Sequence, residues 1–324
     1  MAGTMTRIAI MTDERGWHTS RLRQAFRARG VDARCVDLAD CRIDTTWKPH
    51  GLAIPGFGRT LPDAVFVRGI AGGTFEQVTL RLGVLHALRE CGVPVYNDAR
   101  AIERSVDKSM TSFLLNRYGV PMPATWAGES TAFAQRVLMR ERAAGRKVVM
   151  KPLFGSQGKG LQLLGDDACE PLPSLRAFNE VAYLQRYVDG GASGFDGFDW
   201  RVLVIGTRAV AAMKRVGGDG WIHNFARGAK CEAAELTPSL ADIAVRASTA
   251  LGLDYAGVDL IASAASGDRP LVLEVNGVAA WRGLQSVTSF DIATLLADDL
   301  LDGKLAASQR ALTALTLASG HERA

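Results

Sequence analysis

The chain has 324 residues, 48% hydrophobic and 22% charged, a balance that buries a sizeable core and lies far from the signature of disorder. With 38 basic against 34 acidic residues the formal net charge is only +4, too even for a concentrated basic face, so nucleic acid is excluded as the main partner. At roughly 100 to 200 residues per domain the length predicts two or three domains.

Arg7 to Thr12 reads as a strand and Ser20 to Arg29 as a helix ending at Gly30. Val31 to Leu38 and Asp63 to Ile70 read as further strands. The spacing of Val78, Leu82, Leu85 and Leu88 predicts a helix over Phe75 to Glu90. Cys91 to Tyr96 adds a strand before the turn at Asn97 and Asp98, and this alternation predicts a parallel α/β unit. One helix is expected from Ser105 through Phe113 and Leu114 to Tyr118, stopped by Gly119 before Pro121-Met122-Pro123. Another, about Ser130 to Ala144, precedes a strand over Lys147 to Pro152. Val181 to Val188, Trp200 to Ile205 and Arg208 to Arg215 read as strands of a second sheet, with a loop over Asp189 to Phe198. Thr237 caps a helix with Pro238 at its first position and Gly252 at its end. The alanine-rich stretch from about Lys304 reads as a loosely packed helix or tail.

No uncharged apolar run approaches the roughly 18 to 20 residues that span a bilayer, and Ile8 to Met11 is too short for a signal-peptide core, which places the chain in the cytoplasm and away from membranes. The five cysteines (35, 41, 91, 169, 231) include no CxxC pair, and the five histidines (18, 50, 86, 223, 321) show no HExxH or HxH spacing. Any metal is then a hard cation held by oxygen. There is no GxSxG nucleophile elbow. The six tryptophans, 17, 47, 126, 200, 221 and 281, read as packing residues, with one or two at a ligand pocket.

Gly257 to Ser263 and Pro270 to Asn276 read as a hairpin. If Ser263 faces Pro270, Asp259 sits opposite Glu274, while Glu274 and Asn276 share a face and Leu273 and Val275 turn to the other. Directly opposed residues lie about 4.5 to 5.5 Å apart at Cβ, where two carboxylates repel unless something neutralises them. A divalent cation held by Asp259, Glu274 and the Asn276 amide oxygen does so; the alternative is a solvated pair on an exposed sheet face.

Lys151 ends a strand and is followed by Gly155, Ser156, Gly158, Lys159 and Gly160. Glycines bring backbone N–H groups close to an anion, which suits a loop covering phosphates. It is not a Walker A loop, because Gly160 stands where Ser or Thr is required and Leu161 to Leu164 is strand-like. Nor is there a GxGxxG after the first strand. An ordinary glycine-rich hairpin is the other reading. Only eight of the 38 basic residues are lysine, which makes Lys108 and Lys151 more informative. Asp199, Arg201, Lys214, Arg215 and Asn224 lie on or beside neighbouring strands, and Arg201 and Arg215 are candidates to hold a carboxylate or a transferring phosphoryl group. Ordinary surface arginines are the alternative.

Taken together and in this order, from about Val65 to Leu301, these motifs resemble the ATP-grasp superfamily and, within it, the RimK-type α-L-glutamate ligases. The resemblance implies a fold of α/β and α+β parts: an N-terminal parallel α/β pre-ATP-grasp domain over 1–103, a small central lid over 104–186, a C-terminal antiparallel-sheet domain over 187–305, and a tail over 306–324. It implies that Lys108, Lys151 and the loop with Gly155, Ser156, Gly158 and Gly160 hold ATP. The hinge Gln185-Arg186-Tyr187-Val188 contacts adenine through its backbone, and Asp199 contacts the ribose. Lys214 and Asn224 complete the nucleotide set, Arg201 and Arg215 act on the transferring phosphoryl group or the intermediate, and Asp259, Glu274 and Asn276 hold Mg²⁺ or Mn²⁺. The sequence departs from the pattern at Ile222, where relatives often have arginine, at Trp281-Arg282-Gly283, where many have Pro-Gly, and in a longer loop over Asp189 to Phe198.

The implied activity is ligation of a carboxylate to an amine through an acylphosphate, with L-glutamate added to a small cofactor precursor or a peptide, and ADP and phosphate released. A homo-oligomer, dimer or tetramer, is implied as well. Two alternatives stay open: a ligase using another amino acid or amine, and an ATP-binding regulator without catalysis.

Overall fold

A computed structural model describes residues 5–155, 158–165, 171–189, 197–217, 230–262 and 269–321. The chain opens with β1 (Arg7–Met11), α1 (Trp17–Ala28) and β2 (Asp32–Val36), continues through a two-stranded ribbon of β3 (Arg42–Ile43) and β4 (Leu52–Ala53), then β5 (Ala64–Val67), α2 (Phe75–Glu90) and β6 (Val95–Tyr96). Strands β2, β1, β5 and β6 form a parallel sheet in that order. All four residues of β5 are buried, as a strand covered on both faces requires. Helix α2 has the predicted bounds, set by a capping box in which Thr74 and Gln77 satisfy each other's backbone N–H. Helix α1 begins three residues before the expected start, because Gly16 and Thr19 close its first turn.

The single helix expected over Ser105 to Tyr118 is two, α3 (Ala99–Val106) and α4 (Lys108–Arg117). Asp107 ends one and starts the other, its carboxylate accepting from the N–H groups of Ser109 and Met110. Lys108 thereby becomes the first residue of a helix.

Next come β7 (Thr125–Gly128), α5 (Thr131–Ala143), β8 (Val148–Lys151), β9 (Gln162–Leu164) and β10 (Ala182–Arg186). The sheet order is β7-β10-β8-β9, so the Val181 to Val188 segment belongs to this central sheet, not to the strands that follow it. Buried Ala134, Val137 and Leu138 of α5 pack on Val148, Met150 and Leu184, a core separate from the rest.

The largest sheet runs β13-β12-β11-β14-β15, built from β11 (Phe198–Ile205), β12 (Arg208–Val216), β13 (Lys230–Ala234), β14 (Tyr255–Ile261) and β15 (Leu271–Asn276), all antiparallel. Helix α6 (Pro238–Leu251), capped by Thr237 and ended by left-handed Gly252, covers one face with Leu240, Ile243, Ala244 and Ala247. The other face packs on the N-terminal sheet, where the rings of Phe66, Tyr96 and Tyr255 stack with centroids 5.3 to 5.6 Å apart. Helices α7 (Arg282–Gln285), α8 (Ile292–Asp298) against α1, and α9 (Ala306–His321) follow, with a π-helical stretch over Asp299–Leu305 joining the last two. Among the described residues no helix is long and apolar enough to cross a membrane.

Candidate active site

Strand alternation decides which side chains meet. On the large sheet Asp199, Arg201, Arg215, Gly257, Asp259, Glu274 and Asn276 share the face away from α6. Asp259 lies opposite Glu274, the register expected from the sequence, and Gly257 opposite Asn276. A bulge just beyond Asp259 leaves Leu273 without a partner. Leu273, expected to turn away from Glu274, therefore lines the same small recess as Glu274, with Tyr183 and Gln185.

The buried carboxylates are neutralised by guanidinium groups. Arg201 grips Asp259 through Nε and Nη2 at 2.5 and 2.6 Å. Arg215 grips Asp199 in the same bidentate way at 2.6 and 2.7 Å, and its Nη2 also reaches Asp259 at 3.1 Å. Asp199, Arg215 and Asp259 are only 4 to 6% exposed. Two acids and two bases make a neutral cluster, the condition under which charges tolerate burial. Burial pushes the Asp199 carboxyl up to about 6, Arg215 offsetting it only in part. For Asp259 burial also acts upward, but Arg201 and Arg215 together outweigh it and hold the carboxyl below its ordinary range. Gly257 makes room for the grip: a Cβ there would stand 3.1 Å from Arg201 Cδ and 3.0 Å from Ala279.

The lysines approach from the other side of the cleft. Lys108 Nζ donates to the carbonyl of Gly155 at 2.8 Å and stands 3.8 Å from Glu274. Lys151 Nζ donates to Gln185 Oε1 at 2.6 Å. Burial, with Lys108 adding to it, pushes the Lys151 ammonium down to about 8 against the opposing pull of Glu274 and Asp259. Gly158 and Gly160 both take positive φ, and at Gly160 a Cβ would lie 2.9 Å from Pro152 Cγ, so this turn beside Lys151 requires glycine.

Several roles expected from the sequence therefore change. Lys214 lies between Met213 and Arg215 on β12 and faces the opposite side of the sheet, its ammonium 4.4 Å over the Phe198 ring, so it does not share the nucleotide side with Arg215. Arg186 turns away from Gln185 and bonds Glu141 of α5 at 2.9 Å. The Arg186 and Tyr187 N–H groups donate to the carbonyls of Ala124 and Lys147, so neither N–H is left for the adenine contact expected of this hinge; Val188 follows directly. Asp199 spends both oxygens on Arg215, an arrangement that matches a positioning role and not a ribose contact. Arg215, with its carboxylate partners, is buried, whereas the Arg201 side chain keeps 14% exposure. Asn97, expected to begin a turn, is fully buried and bonds the carbonyls of Tyr255 and Gly277 at 2.8 and 2.6 Å. Ser156 and Asn224 lie outside the described residues.

A cavity of about 720 Å³ joins these groups to the N-terminal sheet. At one end are Lys108, Gly155, Glu274 and Asn276; at the other are the loop after β1, with Trp17 and His18, and Arg68 after β5. Chain order reverses between β1 and β5, so the cavity opens where ligands of parallel α/β sheets gather, at the carboxyl ends of the strands. No dinucleotide fingerprint marks this place in the sequence, and His18 and Arg68 carry no motif of their own; their one sequence signal is their position just after the first and third strands of the parallel sheet.

As metal ligands the three residues fit in kind, being hard oxygen donors on adjacent strands. Glu274 and Asn276 open on the cavity, while Asp259 is engaged by Arg201 beneath them. Among the described residues no group of three or more His, Cys, Asp or Glu forms a ready metal cluster.

Residues 105–300 match the model of the RimK-like ATP-grasp domain, and residues 6–102 that of the RimK pre-ATP-grasp domain. The chain belongs to the RimK-like ATP-grasp family. As a RimK-like ATP-grasp protein it is an ATP-dependent ligase. It is 32% identical to a tetrahydromethanopterin:alpha-L-glutamate ligase of Methanococcus maripaludis over 91% of this chain and 98% of that one. It is 34% identical to a probable alpha-L-glutamate ligase of Vibrio cholerae over 92% and 95%. Among solved structures the RimK-like fold is shared with the ATP-grasp ligase PsnB complexed with a phosphomimetic precursor variant, Mg and ADP, at 23% identity and a TM-score of 0.69 over 92% and 98% of the two chains. D-cycloserine synthetase DcsG is similar at 21% identity and a TM-score of 0.64 over 91% and 99%.

Proposed function

We propose that this RimK-like ligase joins the amino group of L-glutamate to a carboxylate of a small cofactor precursor or a peptide, with ATP converted to ADP and phosphate. The observation that carries the reading is the convergence of Lys108 from α4, Lys151 from β8, Gln185 from β10 and Glu274 from β15 on one cleft, in a chain whose relatives are named as glutamate ligases.

A carboxylate is a poor electrophile. Its oxygen attacks the γ-phosphorus of ATP, the bond to the bridging oxygen breaks, and ADP leaves an acylphosphate behind. The uncharged amine then attacks the acyl carbon, the C–O bond to phosphate breaks, and phosphate departs as the nitrogen loses a proton. Lys108 and Lys151 hold the phosphate oxygens; both already point at acceptor oxygens, in the Gly155 carbonyl and Gln185. The glycine turn at 158–160 closes over the tail. Arg201, the more exposed of the two arginines, would act on the transferring group, and Arg215 would fix it indirectly by holding Asp259. Glu274, Asn276 and Asp259 would hold magnesium, or manganese in its place, which neutralises charge shared among the phosphates. The enzyme works in the cytoplasm as a homo-oligomer on this reading.

The test is ADP release with ATP, magnesium, L-glutamate and a panel of carboxylate acceptors, followed by the mass of the product. Glu274→Gln should abolish acceptor-dependent ADP release while its melting curve matches the parent. Undiminished turnover in that variant, or nucleotide binding without turnover across the whole panel, would refute the reading; the latter favours a regulator.

A further inference from the structure

The end of the cavity remote from the phosphate side carries charge that has no part in the phosphoryl transfer. Arg68 leaves the end of β5 and lies over the buried Trp281 ring, with its Cζ 5.3 Å from the centroid. Arg282 follows Trp281 directly and lines the same cavity. His18 stands against Trp281, ring centroids 4.6 Å apart, and its Nε2 accepts from the Trp281 N–H at 3.2 Å. Among the described residues neither arginine has a carboxylate within ion-pair distance, although Asp13 and Glu14 line the same cavity, and the Arg68 Nε is buried without a hydrogen-bond partner. Burial first, then the charges of Arg68 and Arg282, push the His18 imidazole down to about 4, so it adds no third positive charge at neutral pH and both guanidinium groups lie within electrostatic reach of it.

Two guanidinium groups with no carboxylate in ion-pair contact, one of them partly enclosed with a buried unpartnered Nε, are costly without an anion. Each presents a fork that matches a carboxylate bidentately. We propose that Arg68, set over the Trp281 ring, and Arg282, which follows Trp281 in the chain, are the receptor for the two carboxylates of an amino-dicarboxylate substrate, which thereby directs its amino group along the cavity towards Lys108, Glu274 and Asn276. The inference rests on the ligase reading, since it assigns the amine substrate of that reaction to this end of the cavity. It explains chemically why an amino acid with a second carboxylate is selected. A neutral amide in its place leaves one guanidinium unpaired.

The experiment measures L-glutamate and L-glutamine binding by saturation-transfer NMR to the full chain loaded with magnesium and a non-hydrolysable ATP analogue. Arg282→Gln, Arg68→Gln and Arg68→Lys are compared with the parent. Arg282 is exposed, so its variant folds. Glutamate affinity should fall about tenfold or more in each Gln variant, which corresponds to loss of one charged hydrogen-bonded contact. Arg68→Lys should recover part of it, and the preference for glutamate over glutamine should largely vanish in Arg282→Gln with analogue affinity unchanged. Parent-like glutamate binding in Arg282→Gln overturns the receptor, as does equal binding of the two amino acids by the parent. Glutamate binding lost in the variants, in a parent that forms no amide with any acceptor, supports the receptor and sinks the ligase reading.

Discussion

Lys151 is the side chain whose chemistry depends most on what surrounds it. With its ammonium brought down to about 8 by burial, the free protein holds the charge below that pH and loses it above. Phosphate oxygens favour the ammonium, so nucleotide binding raises the value again and takes up a proton above pH 8. ATP affinity should therefore be flat below pH 8 and fall by about tenfold per unit above it, until the value in the complex is reached. Calorimetry at pH 8.5 in two buffers of different ionisation enthalpy reads the proton directly; no uptake would remove Lys151 from the phosphate site. Asp199 makes the opposite kind of prediction. Replacing it by Asn leaves Arg215 with Asp259 as its one carboxylate and should cost about 3 to 5 kcal/mol of stability, seen as a lower urea midpoint. A loss confined to ATP affinity, with the midpoint unmoved, would restore the ribose role. The sequence could show that Asp199, Arg201 and Arg215 are charged and on neighbouring strands, and that Asp259 is an acid in the later hairpin. It could not show that their forks interlock, because cross-strand partners are fixed only once β11 lies between β12 and β14. Adjacent residues on a strand face opposite ways, which is why Lys214, grouped with Arg215 by its place in the chain, turns to the other side of the sheet.

Among the elements, the central sheet depends on a clamp that sequence alone did not reveal. Glu141 on α5 accepts from Arg146 at 2.7 Å and from Arg186 of β10 at 2.9 Å, tying helix to sheet behind the cleft. Burial would raise this carboxyl, but the two arginines outweigh it and bring it down to about 2. Because the folded value lies below the ordinary 4.5, the stabilisation is complete above pH 4.5 and is lost as pH falls from there towards 2. The arginines are 36 to 41% exposed, so solvent screening reduces the contribution to about 1 to 2 kcal/mol. Glu141→Gln should lower the thermal midpoint at pH 7, and the gap between variant and parent should close between pH 4.5 and 2. A gap independent of pH would mean the clamp acts by packing alone. Elements with strong local signals were legible: α2 from its apolar spacing, α6 from Thr237-Pro238 and Gly252, and the Asp259–Glu274 register from the hairpin. The α3–α4 break was missed since Asp107 sits inside an otherwise helical pattern, and the sheet membership of β10 because pairing between distant strands leaves no local mark.

At the level of the whole molecule the cleft has one stiff wall and one separable wall. The N-terminal and large C-terminal sheets share a single core through Phe66, Tyr96, Tyr255, Trp281 and α8. Asn97 locks them further, its side chain bonding the backbone of Tyr255, Gly277 and Asp254 from a fully buried position. The central sheet and α5 instead close over a core of their own. Cooperative units follow shared cores. The outer two sheets should therefore unfold together, and the central unit should open first. Asn97→Ala removes every one of those bonds and strands two carbonyls and two N–H groups; at about 1 to 3 kcal/mol for each buried unsatisfied group, the loss should be at least several kcal/mol. In hydrogen exchange followed by mass spectrometry, peptides over β7–β10 and α5 should exchange before those over β1, β5 and β14 in the parent, and nucleotide with magnesium should slow the central peptides most, since Lys151 and Gln185 belong to that wall. In Asn97→Ala the peptides over β1 and β14 should quicken together while the central ones change little. If β1 quickens and β14 does not, the two sheets are not one unit, and the cavity between them is framed by two movable walls instead of one.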